Sequence, residues 1–127
     1  MQTLLAFFAF IYLASISLDT RAEDWSVVRT QGMVKLVVVP KARERDYSLY
    51  EDAVAKLCPR DRHCGVQFWS DRRHVPPGSP LNMTDAQLNA RLAAYVQNPR
   101  TGHRELVYDC RIKADPKYCS KRSRLPR

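Results

Sequence analysis

The 127-residue chain has no apolar run long enough to cross a bilayer as a helix, which takes about 20 residues. Its longest apolar run, Leu4 to Leu18, carries no charge and is too short for that. No Lys or Arg precedes that stretch, and phenylalanine is scarce, with four in all and three of them before residue 23. G-x-S-x-G, H-E-x-x-H, P-loop and G-x-G-x-x-G motifs are all missing, which leaves metal, nucleotide and cofactor chemistry without support. No C-x2-C pair is present, which argues against a zinc site, and there is no internal repeat. No RNA-recognition or helix-turn-helix signature points to nucleic acid.

The short apolar run reads instead as a secretory signal peptide. Thr20 and Ala22 supply small residues at the −3 and −1 positions, and the composition turns polar at Glu23, so residues 1–22 are expected to be removed. An uncleaved anchor is the competing reading. What remains suits one small globular domain over 23–119 with a basic tail over 120–127.

Met33 to Val39 is β-branched and almost wholly apolar, as a strand buried on both faces would be. A helix follows, with Asp46 or Ser48 as N-cap, a Ser48-x-x-Glu51 capping box, and Tyr50, Ala53, Val54 and Leu57 on one face. Cys64 to Trp69 reads as a second strand and Ser70 to Pro80 as a proline-rich connection. Thr84 and Gln87 form a second capping box, with Met83 and Leu88 as a hydrophobic staple. The periodicity of Leu88, Leu92, Tyr95 and Val96 predicts that this helix runs to Asn98-Pro99. Glu105 to Cys110 is the third strand, and Trp25 to Thr30 is a further strand or an irregular lead-in. The predicted class is α/β or α+β, a small three-stranded sheet in β-α-β-α-β order with two disulfides. An antiparallel third strand is the alternative topology.

Four cysteines in an exported domain point to disulfides. If the strands are parallel, Cys64 begins the second and Cys110 ends the third, at sheet ends roughly 20 Å apart. A disulfide needs Cα atoms about 4.4–6.8 Å apart, so Cys58–Cys64 and Cys110–Cys119 are favoured over the long-range pairings, which an antiparallel third strand would favour.

The formal charge of +8 is unevenly spread. Residues 23–110 carry 13 Lys/Arg against 11 Asp/Glu, whereas residues 111–127 carry seven against Asp115 alone. Lys121, Arg122, Arg124 and Arg127 therefore read either as a solvated end or as a contact arm for an anionic partner. Arg60 and Arg62 before the second strand, and Arg72 and Arg73 after it, add two basic loops, each containing an aspartate. The enzymatic alternative is histidine acid–base catalysis on a phosphodiester. His63 and His74 flank one strand and are too far apart to cooperate, which leaves His63 and His103, both ahead of strands. Asn82-Met83-Thr84 is a glycosylation sequon whose threonine already serves as a helix cap.

Cys64-Gly65-Val66-Gln67-Phe68-Trp69-Ser70-Asp71, the proline-rich link, Met83 to Gln87, Tyr95 to Asn98, Thr101-Gly102 and Asp109-Cys110 occur in an order that resembles uncharacterised small secreted proteins of proteobacteria. The likeness covers residues 58–119 and implies export and paired cysteines, hence a secreted or periplasmic location, without implying an activity. The expectation is a non-enzymatic, disulfide-stapled binding module. Its basic elements would contact an acidic protein or an anionic envelope component, and the mature chain would carry no membrane span.

Overall fold

The computed structural model describes residues 24–120; the expected leader and the cationic residues 121–127 lie outside the described residues. Six strands form one mixed sheet in sequence order: β1 (Ser26–Gln31), β2 (Val34–Val38), β3 (Cys64–Trp69), β4 (Ala93–Asn98), β5 (His103–Asp109) and β6 (Cys119–Ser120). Two α-helices accompany them, α1 (Tyr47–Leu57) and α2 (Asp85–Ala90). None of the described helices is long and apolar enough to cross a membrane.

The three-stranded β-α-β-α-β sheet predicted above is therefore incorrect, for two physical reasons. Trp25 to Thr30 supplies a true strand, which turns through Gly32 at φ 58°, a left-handed conformation that suits glycine, and pairs antiparallel with β2. The predicted long second helix stops after Ala90. Arg91 leaves helical geometry at φ −61°, ψ 130°, and Ala93–Asn98 becomes a strand antiparallel to both β3 and β5. Leu88, Leu92, Tyr95 and Val96 satisfy a helical period, but Ala93, Ala94, Tyr95 and Gln97 are all buried. Burial on both faces is what a central strand provides, and a short apolar run does not distinguish the two by spacing alone.

Several local expectations hold. The β2–α1–β3 crossover joins parallel strands, with Val34 opposite Gly65 through Val38 opposite Trp69. Tyr50, Ala53 and Val54 of α1 are buried, and Thr84 and Gln87 close their capping box reciprocally. The Ser48–Glu51 box does not form. Asp46 precedes α1 instead, and its carboxylate accepts from Ser48 and pairs with Arg43 at 2.5 Å.

One face of the sheet packs on α1 through Val37, Phe68, Tyr95 and Tyr108, with Tyr50 edge-on to both Phe68 and Tyr108. The proline-rich connection and α2 cover part of the other face, where Trp69 is fully buried and donates its indole N–H to the Gln87 carbonyl at 2.9 Å. Both cysteine pairs close locally, Cys58–Cys64 with Cα atoms 5.6 Å apart and Cys110–Cys119 at 5.0 Å. Strands β3 and β5 run in the same direction although antiparallel β4 separates them. Cys64 and Cys110 thus lie at opposite sheet ends, which leaves only the local pairings within reach.

Candidate functional site

Pairing across β3, β4 and β5 decides which charged side chains meet. Cys64 stands opposite Gln97, and Asn98 stands opposite His103. The loop ahead of β3 and the turn at residues 99–102 therefore share one end of the sheet. Gln97, which is buried, fastens the two together by donating from Nε2 to the carbonyls of Pro59 and Arg62, each at 2.6 Å. Arg60, Arg62, Arg100 and Arg104 are consequently gathered around this end, all exposed. Among the described residues none of the four pairs with a carboxylate. Arg104 instead donates to the Tyr95 hydroxyl at 3.2 Å.

The other predicted basic loop lies elsewhere. Arg72 and Arg73 follow β3, and six strand residues at about 3.3 Å each put them roughly 20 Å from Arg60 and Arg62. Arg73 forks the Asp71 carboxylate at 2.8–3.2 Å, which holds that carboxyl well below its usual range. The two loops form no single patch. Lys121, Arg122, Arg124 and Arg127 lie outside the described residues. His63 and His103 do share an end, but two strand spacings separate them by about 10 Å. His103 faces Glu105 at 3.4 Å, and His74, at the far end, lies 3.8 Å from Asp71.

A groove of about 680 Å³, not apparent from the sequence, continues from the arginine end along β5, between that strand and α1. Val54 and Ala55 of α1 form one wall, and Leu106 and Tyr108 of β5 the other. Lys113 and Lys117 reach the groove from the loop closed by Cys110–Cys119. The Lys113 ammonium sits 4.4–4.9 Å from the ring centres of Tyr47, Tyr108 and Tyr118, held by cation–π attraction and without a carboxylate partner among the described residues. Tyr108 is 2% exposed, and among the described residues its hydroxyl has no hydrogen-bond partner. Burial, with Glu51 and Tyr47 nearby, pushes this phenol above the ordinary tyrosine range, so it is a neutral donor.

The backbone beside the groove is open as well. Tyr108 donates its N–H away from β4, to the Tyr118 carbonyl at 2.9 Å. Strand alternation then directs the peptide groups of Leu106 and Arg104 outward too. Strand β6 covers only Tyr108 and Asp109, so among the described residues no strand pairs with the outer edge of residues 103–107. The signal that could have revealed this hairpin was Asn98-Pro99 followed by Thr101-Gly102, with Gly102 at φ 71°. Comparison of the chain with family models, curated proteins and solved structures finds no match.

Proposed function

We propose that this protein is a non-enzymatic binding module of an oxidising compartment, secreted or periplasmic, that engages an acidic protein partner. The observation carrying this reading is the set of four exposed arginines, Arg60, Arg62, Arg100 and Arg104, brought to one sheet end without carboxylate partners among the described residues. Exposed cations of one sign raise the local concentration of an anionic surface and speed encounter with it. The net charge of +8 supports the same sign of partner. Two closed disulfides and the apolar leader-like run support export. Lys121, Arg122, Arg124 and Arg127 add a second cationic element to the same partner.

The test is binding of the oxidised protein to immobilised poly-L-glutamate at low and physiological salt. Binding is expected at low salt and should weaken as salt screens it. Charge reversal of Arg60, Arg62 and Arg100 together should reduce it by about tenfold or more, and removal of residues 121–127 should reduce it less. Undiminished binding by the charge-reversed protein would defeat the reading. A nuclease assay run in parallel provides the opposite check, because hydrolysis abolished by His63→Ala would make the protein an enzyme.

A further inference from the structure

We propose that the acidic partner is taken as an extended strand added to the outer edge of β5, with alternate side chains entering the groove beside α1; this rests on the acidic-partner reading above. Arg104 and Leu106 direct their N–H and C=O groups outward on an unbroken strand whose six pairs with β4 show no register shift. A strand laid there gains main-chain hydrogen bonds irrespective of its sequence, and specificity comes from the alternate side chains that enter the groove. Three features of the groove select for acidity. Arg104 stands at its mouth, Lys113 and Lys117 line it, and the buried Tyr108 hydroxyl is a donor that a carboxylate or carbonyl oxygen would satisfy. Among the described residues, Glu51 and Glu105 are the only carboxylates lining it, so cations outnumber anions there.

The alternative occupants fit less well. In a two-fold pairing of β5 with a second copy, the outward groups of Arg104 would meet either those of Leu106, which places Glu105 opposite Glu105, or those of the second Arg104. Like charges directly opposed destabilise such a pair. Residues 121–127 share the groove's positive charge, and Ser120, the last described residue, already stands opposite Asp109, beyond the open stretch.

The experiment titrates the oxidised full chain with an acetylated, amidated peptide of alternating glutamate and valine, about eight residues long. Its counterpart, N-methylated at every residue, keeps the side chains but has no backbone donors. The unmethylated peptide is expected to bind about tenfold or more tightly than the methylated one, and to slow amide exchange at Arg104 and Leu106. Arg104→Pro should bind about tenfold more weakly than Arg104→Ala, because only the proline removes the outward N–H in addition to the charge. Thr30→Pro, whose N–H points outward on β1, should bind as the native protein does. If Arg104→Pro fails to fold, the peptide pair and the exchange measurement decide. Equal binding of both peptides with no protection at Arg104 would overturn strand addition while leaving the acidic reading intact. Failure of both peptides and of poly-L-glutamate to bind would remove the acidic reading itself. A dimer that Arg104→Pro dissociates would give the edge to a second copy and also overturn the proposal.

Discussion

The two edges of the sheet handle the same hazard differently. A strand at an edge carries a row of unpaired peptide groups, and proteins normally blunt that row. Strand β1 is blunted by a bulge, because its register with β2 slips between Val27 and Arg29. Arg29 further ties it to the proline-rich connection by donating to the Pro77 carbonyl at 2.8 Å. Strand β5 has no bulge. Among the described residues only its last two are covered, by the two-residue β6 that the Cys110–Cys119 bridge holds in place. The bulged edge has lost the regular spacing that an added strand needs, whereas the straight edge keeps it, next to a groove. The contrast teaches that an edge can remain open where charged side chains, here Arg104 and Glu105, discourage indiscriminate pairing.

The largest expected effect comes from removing the clasp on the straight edge. Replacing Cys110 and Cys119 together with serine should cost about 2–3 kcal/mol, the loop-closure value for so short a loop. It should also speed amide exchange at Tyr108, whose N–H would lose Tyr118 as acceptor. Denaturant unfolding and hydrogen exchange check both outcomes, and full retention of Tyr108 protection would show that β6 holds without its bridge.

A pair of conservative substitutions sharpens the comparison between edge and centre. The Tyr50 hydroxyl donates to the Glu44 carbonyl at 2.6 Å, so Tyr50→Phe should cost about 1 kcal/mol. The Tyr108 hydroxyl has no partner among the described residues, so Tyr108→Phe should leave stability nearly unchanged and weaken binding of the acidic peptide. The same two residues set an alkaline limit. Burial raises both phenols above their unfolded value of about 10. The folded state therefore binds more protons than the unfolded state above that pH. Stability from this source is complete below about pH 10 and declines as the pH rises further, and thermal melts between pH 8 and 11 should show a smaller decline in Tyr108→Phe.

The smallest effect belongs to the bulged edge. Arg29→Ala removes one exposed hydrogen bond and should cost about 0.5 kcal/mol with no change in peptide binding. Weakened peptide binding in this variant would show that the two edges are not independent.

How much of this was legible in the chain varied with the range of the interaction. Thr84 and Gln87 form their capping box because both residues sit within one helical turn, and Tyr50, Ala53 and Val54 point inward because helical spacing puts them on one face. The failure at Ser48–Glu51 has a local cause too, since Asp46 precedes the helix with its carboxylate already engaged by Arg43 and Ser48. Reading Ala93–Asn98 as helix, by contrast, concealed the β4–β5 hairpin, and with it the position of Arg100 and Arg104 beside Arg60 and Arg62. The basic loops were visible as composition, and the aspartate within each made partial self-pairing legible, yet nothing along the chain indicated that the pairing would form at Asp71 and Arg73 and not around Asp61.

The sequence by itself determined the pieces whose partners are near neighbours: the apolar face of α1, the cap of α2, the buried strand Cys64–Trp69 and the two short disulfide loops. Tertiary structure alone decided that residues 93–98 would be a strand and that, among the described residues, β5 would have an open outer edge and the buried Tyr108 hydroxyl no partner. The physical reason is that strand pairing joins residues far apart in the chain, and period-2 and period-3.6 patterns overlap in a run as short as Ala93–Asn98. Only when β3 and β5 close on either side of that run does one reading bury its side chains and satisfy its peptide groups together.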